Sequence, residues 1–117
     1  MEDIAIYRKL FSLVSLSMRA GKLITGEEAG IKAIQSGKAK LAFVATDASD
    51  NTRKKFSDKS KYYNVPCFCY FTKADIESAI GKTNRASFII ICENFAKQMI
   101  VYMENIGIEQ YMFVSSK

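Results

Sequence analysis

The chain has 117 residues, 49% hydrophobic and 25% charged, which argues against disorder and allows one core without disulfides or metal. A net charge of +5 and a pI near 9.1 favour an anionic partner, such as nucleic acid or an anionic membrane surface. The chain contains no histidine, so Ser/His and Cys/His dyads are excluded.

The start, MEDIAIYRKLF, is acidic before it is apolar and lacks a basic leader region, so no secretory signal is expected. Ile6, Leu10, Leu13 and Val14 recur at helical spacing and predict a helix over residues 3–19, ended by Ala20-Gly21. Residues 22–24 read as a short extended piece. Thr25 then opens a second helix, which Gly37 closes from the C′ position. Thr25 and Glu28 have capping-box spacing: the hydroxyl takes the amide three residues on, and the carboxylate returns to the Thr25 N–H. Residues 41–45 (LAFVA) are apolar on both faces, as expected of a central strand covered on two sides. A turn at 47–50 leads to a third helix over 51–63, rich in exposed charge and ended by Asn64.

Residues 65–71 (VPCFCYF) predict a second long strand, with Pro66 at its start, where a missing donor is tolerated. Thr72 caps a short helix that runs to residue 80 and stops at Gly81. Residues 82–86 (KTNRA) form a polar loop before another buried strand at 87–92 (SFIIIC). The longest apolar runs, residues 88–92 among them, fall far short of the roughly 18 residues that span a membrane. Asn94 caps a last helix through residue 105, and Gly107 breaks it. The tail from Ile108 either packs through Tyr111 and Phe113 or stays loose. This alternation predicts an α/β fold, a three-layer α/β/α sandwich with a mixed sheet of about four strands, as a single domain over 1–117.

Most catalytic chemistry is missing. Cys67, Cys69 and Cys92 sit in apolar, strand-like segments, which fits buried thiols in a reducing, cytoplasmic setting. Without histidine, three cysteines do not complete a zinc site. GEEAG at 26–30 lacks the spacing of a dinucleotide loop and does not follow a long strand. Glu27 and Glu28 are adjacent and diverge on a helix, so they form no acid–base couple. No catalytic residue, metal or cofactor is expected. What remains is a set of basic residues at helix boundaries: Lys22, Lys32, Lys38, Lys40, Lys73, Lys82 and Arg85. In a sandwich, the start of the second helix and the loop before the last strand can share one edge. A helix start offers free N–H groups and the positive end of the dipole, and lysines nearby suit backbone phosphates. Lys32, in the second turn, either reaches a ligand there or pairs with Glu28 at i, i+4.

The run GKLITGEEAGIKAIQSGKAKLAFVATDAS resembles the YlxQ-like bacterial branch of the kink-turn RNA-binding ribosomal-protein superfamily, the L-seven-Ae and L-thirty-e type. The resemblance rests on Gly26, on Lys32 followed by AIQSGKAKL, and on Ala45-Thr46-Asp47-Ala48. Downstream it rests on Tyr63-Asn64-Val65-Pro66 and on the helix from Thr72-Lys73 to Ile80-Gly81, and it covers residues 4–92. It implies a sandwich that binds kinked RNA carrying tandem sheared G·A pairs, with the second helix start in the groove. In the family an Asn-Glu pair there reads the guanines, and the loop before the last strand packs on an extruded nucleotide. By that alignment the Asn falls at Glu28 and the Glu at Ala29, so the pair is absent. An ionised Glu28 accepts but does not donate. Glu27, one position earlier, is a substitute, and Asn84 and Arg85 are placed to contact an unpaired base.

The expected function is therefore non-catalytic binding of kink-turn or similarly kinked RNA, ribosomal or otherwise, by a cytoplasmic monomer that does not enter membranes. The expected contacts are Gly26, Glu27, Glu28, Lys32, Lys38, Lys40, Lys73, Lys82, Thr83, Asn84, Arg85 and Ala86. The departure at Glu28 and Ala29 motivates a second reading, a protein-interaction module of the ribosome or transcription machinery with weakened RNA reading. A thiol enzyme using Cys67 or Cys69 is a third.

Overall fold

A computed structural model of the chain describes residues 2–110. The elements run α1 (Glu2–Arg19), β1 (Leu23–Thr25), α2 (Glu27–Ser36), β2 (Leu41–Val44), α3 (Asp50–Tyr62), β3 (Cys67–Cys69), α4 (Lys73–Ile80), β4 (Ser87–Ile90) and α5 (Glu93–Asn105). The tail residues Tyr111 and Phe113 lie outside the described residues.

The four strands form one mixed sheet in the order β1-β4-β2-β3. β4 is antiparallel to both β1 and β2, and β2 is parallel to β3. Helices α2 and α3 pack together on one face, and α1, α4 and α5 on the other. The expected α/β/α sandwich is therefore what forms. Its core sits between the layers: β2 and β4 are buried along their whole length, with Phe43 and Phe88 stacked at 4.9 Å. Burial on both faces is why LAFVA and SFII carry no polar alternation.

Three helix starts differ from the sequence expectation. The Thr25–Glu28 capping box does not form, because Thr25 ends β1 opposite Phe88 and its hydroxyl donates to the Ser87 carbonyl at 3.1 Å. Gly26 is the N-cap instead, and no side chain caps α2. Ser49, expected in a turn, caps α3 by accepting the Thr52 N–H at 3.1 Å. The last helix begins at Glu93 with Cys92 as N-cap, so Asn94 lies inside it. At α4 the capping box is complete, with Thr72 and Asp75 reciprocating. β3 is also shorter than its apolar run. Pro66 and Phe71 lie outside the strand, yet their carbonyls accept from Ala42 and Thr46 at 2.8 Å each.

Candidate nucleic-acid interface

The topology sends one end of every strand to the same place. β1, β2 and β3 finish where β4 begins, so residues 25–27, 45–49, 70–73 and 82–86 gather at one end of the sheet. Two bonds tie the group together: Ala45 N–H to the Ala86 carbonyl at 2.7 Å, and Thr25 to Ser87. The α2 start and the loop before β4 are thus neighbours, as the sandwich allowed.

Gly26 adopts φ 101 and ψ 143, in the region that favours glycine, and open space surrounds its Cβ position. The first intrahelical bond of α2 is Gly30 N–H to the Gly26 carbonyl at 2.9 Å. With no side-chain cap, the amides of the first turn are left for an outside acceptor, and the helix dipole adds positive potential.

Glu27 turns away from that opening. Its carboxylate accepts from Lys55 Nζ at 2.8 Å and from Thr52 Oγ1 at 3.2 Å, bracing α2 against α3. The Lys55 ammonium holds the carboxyl below the usual range, against a smaller opposing effect of burial. Its engagement with α3 leaves it a poor substitute for a base-reading carboxylate. Glu28 does not close a cap; it lines an open groove of about 440 Å³ between α2 and α3 with Ile31, Lys32, Gln35, Lys55 and Lys59. Lys55 and Lys59 were not legible as part of this site, because nothing local to α3 states that it packs on α2. Their i, i+4 spacing is the one available signal.

In the 82–86 loop, Lys82, Thr83 and Asn84 are exposed, and Asn84 holds a left-handed φ of 55. Arg85 is half-buried, and its guanidinium donates to the carbonyls of Thr83 at 2.8 Å and Asn84 at 3.4 Å. Its N–H meets Glu77 at 3.3 Å, so Arg85 braces the loop rather than reaching out of it. Ala86 is half-buried at the strand entrance. Lys73 begins α4 with its N–H on Asp47 at 2.8 Å and its side chain exposed.

Lys38 and Lys40 are not part of this gathering. Lys40 precedes β2, and its N–H donates to Ile90 at the finish of β4. The Lys22 carbonyl accepts from the Ile91 N–H at that same far end. The basic residues therefore divide between two ends of the sheet, which corrects the single cluster suggested by their sequence positions.

The thiols do not form a reactive centre. Burial pushes the Cys67 thiol up to about 12, and it also raises Cys69, where Arg53 opposes the shift. Among the described residues no cluster of potential metal ligands occurs.

The RNA-binding protein YlxQ of Enterococcus faecium is 54% identical over 91 residues, covering 78% of this chain and 87% of that protein. The Bacillus subtilis (strain 168) protein of the same name is 37% identical over 94 residues, covering 80% and 94%. A solved structure described as a protein with unknown function from Bacillus halodurans C matches with a TM-score of 0.79 at 32% identity, covering 82% of this chain and 97% of that one. The Giardia lamblia 15.5kD RNA binding protein matches with a TM-score of 0.74, covering 87% and 90%, and at 18% identity it shows a shared fold alone. A family model matches residues 8–101, and with it this chain belongs to the Ribosomal protein L7Ae/L30e/S12e/Gadd45 family.

Proposed function

We propose that this protein is a non-catalytic RNA-binding protein that recognises kinked, structured RNA of the kink-turn type through the end of the sheet where α2 begins. The observation that carries the reading is the uncapped α2 start, with Gly26 open beside it and the 82–86 loop held next to it. Exposed backbone amides suit phosphate or base edges, and Lys32, Lys73 and Lys82 are exposed around them for phosphates. The family and the relatives are named for ribosome and RNA, not for a reaction, in line with a non-catalytic role.

Within this reading Glu28 is the base-reading group. Freed from capping, its carboxylate accepts from guanine N1–H or N2–H at the groove mouth, a one-sided readout that an Asn would have made two-sided. Thr83 and Asn84 contact an unpaired base, with Arg85 and Ala86 shaping the loop beneath. The protein acts as a cytoplasmic monomer on ribosomal or other structured RNA, and association with the ribosome follows from that target. Binding to a kink-turn RNA, measured beside the same RNA with its G·A pairs replaced, tests the reading. The intact kink-turn is expected to bind more tightly, and Lys32→Ala to weaken that binding severalfold. Equal affinity for both RNAs refutes kink-turn recognition.

A further inference from the structure

We propose that the far end of the sheet is a second RNA-contacting surface, which takes a single-stranded segment by stacking a base on Tyr62 and setting its phosphates against Lys38 and Lys40. It rests on the RNA-binding reading above and adds a surface that reading does not use.

Tyr62 is 81% exposed. It meets the Tyr63 ring edge-on, with centroids 4.9 Å apart and planes at 75°. Both tyrosines stand at the end of α3, where the chain is locked by a left-handed Asn64 at φ 62. The Asn64 N–H donates to Lys61 at 3.2 Å, and the Val65 N–H to Ser60 at 2.7 Å, while Val65 itself is buried. The turn fixes the backbone that carries the ring, and the Tyr62 ring stands in solvent with Tyr63 against it.

The lysines stand at the same end of the sheet. Ala42 bonds Pro66 and Lys40 bonds Ile90, so residues 38–40 enter the sheet alongside residues 63–65. Lys38 is fixed in turn: it follows the left-handed Gly37, and its N–H closes α2 on the Ala33 carbonyl at 3.1 Å. Lys22 lies at the same end, and two acids toward it are paired: Glu93 faces Lys97 at 3.7 Å, and Asp58, one turn before Tyr62, holds Lys54 at 3.1 Å.

On the side of α2 and α3 both helices present their C-termini here, and the helix that starts at this end, α5, packs with α1 and carries Glu93 in its first turn, so backbone amides do not hold an anion beside Tyr62. Attraction must come from side chains: cations for phosphates and an aromatic face for a base. That pairing is what unstructured single strands require. A protein partner fits less well, because the other large exposed apolar residues among those described, Ile4, Leu16 and Val101, lie on α1 and α5.

The chain has no tryptophan, so Tyr62→Trp places a single indole on this surface. Affinity is measured for a kink-turn stem alone and for the stem extended by about ten unpaired nucleotides at either end. A tail is expected to tighten binding about five- to tenfold and to quench the introduced indole. Tyr62→Ala, and separately Lys38→Ala with Lys40→Ala, should erase that gain and leave stem affinity unchanged. A tail that adds nothing and leaves the indole emission unmoved overturns the proposal and gives the Tyr62 face to a protein partner. A gain that survives these substitutions overturns it as well. Quenching by a tail when the stem alone does not bind supports this surface and refutes the kink-turn reading instead.

Discussion

Gly26 carries two roles in one backbone conformation. Its φ of 101 turns the chain out of β1 and leaves the α2 amides open, while its Cβ position meets nothing within 4 Å. A side chain there would strain the backbone without clashing. Gly26→Ala is expected to cost about 1–3 kcal/mol. Denaturant unfolding reads this as a lower midpoint at unchanged slope, and an unmoved midpoint would show that the turn relaxes freely. Cys67 permits a different test. Its thiol titrates near 12 when folded, against an ordinary value of 9.0. Between those values the folded chain holds a proton that the unfolded chain releases. Stability is therefore intact below about pH 9 and falls as pH rises toward 12. Alkylation of Cys67 in the native protein at pH 8 should be slow, and fast labelling would restore the thiol-enzyme reading.

At the level of elements, Gly30 decides how closely α2 lies on its neighbours. A Cβ there would come within 3.2 Å of the Phe56 ring and 3.3 Å of Ile89, both fully buried. Gly30→Ala gains up to about 1 kcal/mol of helix propensity. Overpacking costs about 1–3 kcal/mol, and neither neighbour is an exposed, flexible side chain that could yield. The variant should be destabilised by about 1 kcal/mol, read as a lower thermal midpoint; a raised midpoint would mean that α3 shifts without cost. Much of this layer was legible in the sequence. Gly37 and Gly81 stop helices where the pattern stops, and the apolar runs at 41–45 and 87–92 are the central strands. Helix starts were less legible, because they are settled by contacts distant in sequence. Thr25 had the right spacing for a cap, but pairing with Phe88 and the Ser87 carbonyl claimed its backbone and hydroxyl first. Glu27 likewise gave no local sign that its partners lie on α3.

Across the whole molecule the basic residues do not form one patch: Lys73 and Lys82 stand at the end where α2 begins, Lys32 is midway along α2, and Lys38 follows its C-terminus at the other end. The ten residues of α2 span about 15 Å. The Debye length at physiological salt is about 8 Å, so the two ends act as nearly independent electrostatic sites. A kinked stem bound only at the α2 start would set phosphates against Lys32, Lys73 and Lys82. Three such contacts give a slope of log affinity against log salt of about −3. Lys32→Ala should bring the slope closer to zero by about one, and Lys38→Ala should leave it unchanged. Anisotropy titrations between about 50 and 200 mM salt check both. An equal loss from Lys38→Ala on the bare stem would mean that one duplex contacts both ends at once, and the division of the basic residues by the sheet would then have no consequence for binding.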